Sequence, residues 1–270
     1  MSFQPVLPAG GSAGWAFLKR TRESQQTAFD NSGRIARDTD YFEKNIAKVK
    51  KPEDLMKDFR LLSVALGAFG LDSDINSKFF VRKVLSEGTL AEDALANKMS
   101  DKRYKAMAQA FGFDLNPPKT QLSDFGAKIT AAYKERQFEI AVGEQDPNMR
   151  LALGLGRELD NVLKSKSSKD ATWFTVMSTP PLRKVFEGAF NLPASFGMID
   201  IDKQLETFKA KSRAAFGTDD LAKLAEPEKR EELTRLFLVR ADLQSMTGGM
   251  SRGSVALTLL QSAPRASIFG

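Results

Sequence analysis

The chain has 270 residues, 42% hydrophobic and 27% charged, with 40 basic against 34 acidic side chains and a net charge of +6. It contains neither cysteine nor histidine, which excludes disulfides, thiolate nucleophiles, zinc sites built on those ligands and Ser-His-Asp hydrolysis. Chemistry based on carboxylates, Lys or Tyr survives, so an enzyme of that kind stays open as an alternative to a protein without catalysis.

Residues 1–14 are rich in Pro, Gly and Ser and are expected to form a flexible tail. They lack the basic-then-apolar layout of a cleaved secretory signal. No run approaches the roughly 18 apolar residues of a membrane span. The cytoplasm is the expected compartment, with export by a route that leaves no cleaved signal kept open. Trp15 to Phe29 reads as a helix, and Ile35 to Val49 as another, with Phe42, Ile46 and Val49 on one face. Pro52 suits a first helical turn, with Glu53 and Asp54 at the positive end of the helix. From there Leu55, Phe59, Leu62, Leu66 and Phe69 predict one continuous apolar stripe. Gly67 beside the stripe predicts close approach of a neighbouring helix, and Gly70 a stop.

Ile75 to Glu87 is predicted helical, with Phe79, Phe80 and Val84 among its apolar residues. Thr89 and Ser100 are candidate caps for the two segments that follow. Asn116-Pro117-Pro118 is the strongest break and the predicted boundary of a first unit, residues 15–118. A second unit, 119–250, is expected to hold helices over 122–142, from Pro147 to Leu163, over 182–190, over 201–216 and over 228–243, the last with Leu233, Leu236, Phe237 and Val239 inside. Gly248, Gly249 and Gly253 read as a hinge, before an apolar helix over 254–261 and a tail to residue 270. No stretch alternates with period two between hairpin turns, so the fold class is all-α.

One pattern recurs. Leu61-x-x-Val64-x-x-Gly67-Ala68-Phe69-x-Leu71 returns as Leu182-x-x-Val185-x-x-Gly188-Ala189-Phe190-x-Leu192, a spacing of 121 residues. Gly88-Thr89 and Lys102-Arg103 have echoes at Gly217-Thr218 and Lys229-Arg230, at spacings of 129 and 127. The pattern predicts an internal duplication into two related helical units; chance recurrence of common core residues is the rival reading. Two copies make a pair, not a solenoid.

Other motifs favour bland readings. Asp72-x-Asp74-x-Asn76 imitates a calcium loop, but Ser77 stands where Gly is needed and Lys83 where Glu is needed; helix capping is expected instead. Gly154-x-Gly156 lacks the third glycine and the preceding strand of a dinucleotide loop. Asp219-Asp220 and Glu231-Glu232 are sequence neighbours that face different directions on a helix. Lys44, Lys48, Lys50 and Lys51, and then Lys164, Lys166 and Lys169, are the densest basic clusters; they read as solvated helix ends, with a basic nucleic-acid-binding module as the alternative. No cofactor or metal site is expected. A partner contact is expected on the apolar C-terminal segment, at Val255, Leu257, Leu260, Ile268 and Phe269.

The residues Gly14-Trp15, Arg37-Asp38 with Tyr41-Phe42, the whole stretch Leu61 to Leu71, Glu87-Gly88-Thr89, Ala94-Leu95-Ala96-Asn97, Asp101-x-Arg103-Tyr104 and Phe111-Gly112-Phe113 resemble an alphaproteobacterial family catalogued as domain of unknown function 1217. Its members often lie among flagellar genes. The resemblance implies an all-helical protein without catalytic residues to carry over, acting through protein partners in flagellar assembly or structure. It also makes sense of the missing cysteine, since flagellar filament proteins usually lack it, and of a polar N-terminus compatible with type III export.

Overall fold

The computed structural model describes residues 3–164 and 168–249. Among them are fourteen α-helices, short 3-10 turns and no strand, so the fold is all-α. In chain order the helices are α1 (Gly11–Asp30), α2 (Gly33–Asn45), α3 (Pro52–Lys57), α4 (Phe59–Phe69), α5 (Lys78–Glu87), α6 (Leu95–Lys98), α7 (Lys102–Phe111), α8 (Phe125–Gly143), α9 (Pro147–Leu163), α10 (Lys169–Ser178), α11 (Pro180–Ala189), α12 (Ile201–Phe216), α13 (Leu221–Leu224) and α14 (Pro227–Gly249). None is long and apolar enough to cross a membrane among the described residues.

The chain forms two compact units: residues 1–8 with 14–154, and residues 9–13 with 155–270. The division falls inside α9 rather than at the Asn116–Pro118 break, because α8 belongs with the helices before it. The helix α1 begins at Gly11, four residues before the predicted Trp15. The residues ahead of it are tied down in the first unit. Val6 exchanges two hydrogen bonds with the Gln25 side chain, and Gln145 Nε2 donates to the Pro5 carbonyl.

In the first unit α4 lies against α2, α3 and most extensively α8. Leu61, Leu62, Val64, Ala65 and Leu66 are buried, with Phe42, Tyr133 and Phe138 among the large side chains around the core. The predicted continuous stripe is broken. Asp58 takes an extended conformation (φ −107°, ψ 104°), ends α3, and accepts hydrogen bonds from Arg60 N and Leu61 N at the start of α4. A capping carboxylate thus turns the chain, and Phe59, now the first residue of a new helix, is 63% exposed. Phe79 is likewise exposed, on the same helix as the buried Val81, Val84 and Leu85.

In the second unit α11 packs most extensively on α14 and also on α10. Its core is a cluster of rings in which Trp173, Phe186, Phe190 and Phe208 meet at centroid distances of 5.2–6.4 Å. Leu233, Phe237 and Leu238 of α14 are buried, whereas Val239 faces out; Gly248 and Gly249 are the last described residues of α14, and Gly253 of the expected hinge lies outside the described residues. Leu182 and Val185 are buried like Leu61 and Val64, and Phe190 is buried where Phe69 is half-exposed.

The two motif helices end identically. Gly70 N donates to Gly67 O at 3.1 Å and Leu71 N to Leu66 O at 2.9 Å; Asn191 N donates to Gly188 O at 3.1 Å and Leu192 N to Glu187 O at 2.9 Å. Each is a left-handed C-terminal cap, with φ of 70° at Gly70 and 51° at Asn191. Each motif glycine also lies under a ring: a Cβ on Gly67 would sit 2.8 Å from the Tyr133 ring of α8, and one on Gly188 would sit 2.8 Å from the Phe237 ring of α14. By packing, then, α14 does for α11 what α8 does for α4. The Lys102-Arg103 and Lys229-Arg230 echo does not follow that correspondence, because α7, which opens at Lys102, packs chiefly on α5 and α6.

Candidate functional site

The residues that carry the family resemblance form the scaffold of the first unit. Tyr41 Oη donates to Asp58 Oδ2 at 2.7 Å, and the Arg60 guanidinium lies over the Tyr41 ring. Glu87 accepts from Leu95 N, and Asn97 Nδ2 donates to the Thr89 and Ala91 carbonyls. Asp114 accepts from Thr89 N and Leu90 N beside Gly88. Arg103 is held by Asp101 and donates to the Gly70 carbonyl at the end of α4; although burial works the other way, the Arg103 hydrogen bonds keep the Asp101 carboxyl below its ordinary range. Burial, with a hydrogen bond to Asp74, pushes the Tyr104 hydroxyl up to about 12, and burial does the same to Tyr133.

The calcium look-alike is part of the same scaffold. Asp72 accepts from Gln137 Nε2 and Asp74 from Tyr104 Oη, so these carboxylates staple a 3-10 turn to α8 and α7 and cap no helix. Among the described residues no group of three carboxylates or other ligands is arranged to hold a metal. Gly156 lies within α9 against the Arg230 guanidinium. Asp220 caps α13, and Asp219 pairs with Arg213 while its carbonyl accepts from Trp173 Nε1. Lys44 pairs with Asp40, Lys229 with Glu232 and Lys169 with Asp220. Val255, Leu257, Leu260, Ile268 and Phe269 lie outside the described residues.

What sequence reasoning missed is a groove in the second unit, between α10 and the start of α12. It is a shallow, open depression of about 400 Å³ lined by Phe174, Thr175, Met177, Ser178 and Ile201. Ile201 on its wall is 47% exposed, and Met198 and Ile199, on the turn that leads into α12, are exposed as well, Met198 to 88%. Two hydrogen bonds from Gln204 hold this turn. Gln204, itself buried, donates to the Ile199 and Gly197 carbonyls and accepts from Arg183 Nη2 at 2.8 Å.

At the motif spacing, the first unit carries charged side chains where the second has residues of the groove. At the motif spacing of 121, Phe174 corresponds to Glu53 and Met177 to Met56. Lys78 and Ile201 both open the helix after a 3-10 turn, and Arg82 and Leu205 are the fifth residues of those helices. In the first unit Arg82 pairs with Glu53 at 3.4 Å and covers the Phe79 ring, while Lys78 Nζ donates to the Met56 carbonyl. In the second unit those three charged side chains are Phe, Ile and Leu. The signal was present in the sequence, but only an alignment of the two halves beyond the repeated motif would have exposed it.

A family model described as "Protein of unknown function (DUF1217)" matches residues 68–229. The matched span leaves out the resemblance residues from Gly14 to Gly67 and takes in the groove. A solved crystal structure of a protein from Agrobacterium tumefaciens is similar to this chain with a TM-score of 0.70 and 25% identity, over 89% of this chain and 99% of that one. No curated protein matches.

Proposed function

The chain belongs to the DUF1217 family of proteins of unknown function, and from that premise we propose that it is a non-enzymatic helical protein that works through contacts with a protein partner in building the bacterial flagellum. The observation that carries the contact reading is the exposure of Phe174 and Ile201 on the walls of the α10–α12 groove, with Met198 and Ile199 exposed on the turn just before α12. Exposed, clustered aromatic and Met side chains are the usual anchors of protein interfaces. The C-terminal apolar residues Val255 to Phe269 add a second contact element in the same reading. The flagellar setting is supported by the resemblance of the motif residues and by the cysteine-free composition. The two units are read as diverged copies of one plan, of which the second kept its groove apolar. The protein's place is the cytoplasm or the flagellum itself.

The test is swimming. A strain lacking the protein should lose motility in soft agar, and a strain carrying Phe174→Asp with Ile201→Asp should lose it too, at an unchanged level of soluble protein. Normal swimming of the deletion strain would overturn the flagellar setting; normal swimming of the double variant alone would overturn the groove as the contact face.

A further inference from the structure

We propose that one end of the first unit, made of the turn 46–51 and the loop 115–122, docks on an anionic lipid bilayer, with its lysines at the headgroups and two exposed leucines entering the interface. This contact is separate from the α10–α12 groove and stands or falls without it.

Charge is the first observation. Lys48, Lys50 and Lys51 are exposed. Among the described residues none of the three has a carboxylate partner, and Lys48 Nζ donates to Asn45 Oδ1 at 2.8 Å. The carboxylates nearby in sequence are engaged: Asp40 with Lys44, Glu53 with Arg82, Asp54 with Lys57 and Asp124 with Lys128. Glu43 accepts from the Thr130 hydroxyl. The balance of this end is positive and open to solvent.

Placement is the second. Thr120, fully buried, donates from Oγ1 to the Val49 carbonyl at 2.7 Å, and the 3-10 turn Lys119–Gln121 packs on the 3-10 turn Ile46–Lys48. That buried bond sets the three lysines beside the loop that carries Leu115 and Leu122, which are 39% and 54% exposed. Lys119 joins them. A Cβ on Gly112 would lie 3.1 Å from Leu115 Cδ1 and 3.0 Å from Lys119 Cγ, so these two side chains stand together. Basic side chains around exposed aliphatic ones suit the boundary between headgroups and acyl chains.

The rings decide between lipid and nucleic acid. Single strands are held by bases stacked on exposed aromatic side chains. Here Phe42 is fully buried, and the Tyr41 ring lies against the Arg60 guanidinium with its hydroxyl on Asp58. What this end offers besides charge is aliphatic, and a leucine gains nothing from a phosphate backbone.

The test is sedimentation of the full-length protein with vesicles of phosphatidylcholine, alone or mixed with about 30% phosphatidylglycerol to supply anionic headgroups. The protein should bind the mixed vesicles, ignore the neutral ones, and be released at about 1 M salt, where the Debye length is about 3 Å. A lysine near such a surface contributes about fivefold in affinity, so Lys50→Gln with Lys51→Gln should weaken binding about 25-fold. Leu122→Asn should weaken it several-fold, and neither variant should change the circular dichroism. Lys211→Gln with Lys223→Gln, at two exposed lysines of the second unit, makes the same change in net charge and should leave binding within about twofold. The proposal is overturned by failure to bind the mixed vesicles, by equal binding to neutral ones, or by equal losses in the two lysine pairs, which would leave only the net charge of the chain. Retention of a DNA oligonucleotide that is lost in Lys50→Gln with Lys51→Gln, by a protein that ignores the mixed vesicles, would also overturn it and make nucleic acid the occupant.

Discussion

Single residues decide how the two motif helices seat. A glycine in a helix interior costs about 1 kcal/mol against Ala, so Gly→Ala on an open helix face would stabilise. At Gly67 and Gly188 the sign reverses, because the new methyl would meet the ring of Tyr133 or Phe237 at 2.8 Å. Gly67→Ala and Gly188→Ala should each destabilise by about 1–3 kcal/mol, the usual cost of overpacking, as measured by urea unfolding. An unchanged or raised midpoint in either would deny the close seating. Asp58 is the second residue of this kind, since it caps α4 and takes the Tyr41 hydroxyl at once. Asp58→Ala should cost about 0.5–2 kcal/mol, and Asp58→Asn should recover most of it, because an amide oxygen still caps.

Among elements, the α5–α7 layer of the first unit depends on a titrating group. The Tyr104 hydroxyl of α7 donates to Asp74 and holds its proton to about 12, against about 10 in an unfolded chain. A folded-state pKa raised in this way contributes stability that is complete below pH 10 and is lost as pH climbs through 12. Tyr133, buried in α8, acts in the same direction. Unfolding midpoints should therefore fall between pH 10 and 12, and Tyr104→Phe should flatten that fall while lowering stability at pH 8 by about 1 kcal/mol. An alkaline fall of equal steepness in the variant would take Tyr104 out of the account. Most helices were legible, because their starts carry Pro52, Asp146-Pro147, Asp200 or Pro227 and their ends Gly70, Gly88 or Gly217. The split between α3 and α4 was not. Periodicity runs through Asp58 unbroken, and only the carboxylate's choice of backbone partners, a local tertiary matter, turns the chain there.

At the scale of the whole molecule, the repeated motif could be read from the letters, and the two motif helices are alike in their C-terminal caps and in the ring that lies over each glycine. The groove could not be read, because Phe174 and Ile201 look like ordinary core residues until their neighbours are placed. The expectation for the C-terminal residues falls outside the described chain. The prediction at this scale is that Phe174→Asp with Ile201→Asp lowers stability by no more than about 1–2 kcal/mol, since both side chains are partly exposed, while, on the proposed reading, abolishing motility. A large loss of stability would mean that the groove walls serve the fold.

The ring seated over each motif glycine behaves like a pawl in a ratchet tooth. Sliding α11 by one turn along α14 would bring the Phe237 ring off Gly188 and onto a neighbouring turn that carries side chains, so the helix has one resting position. The neighbouring α10 packs on α11 and forms a wall of the groove, and it inherits that immobility. On the proposed reading, a partner at the groove would meet a wall already set by the packing of α10 and α11. Mutations that loosen the pawl, Gly188→Ala first among them, should weaken docking from a distance without touching the surface that does it.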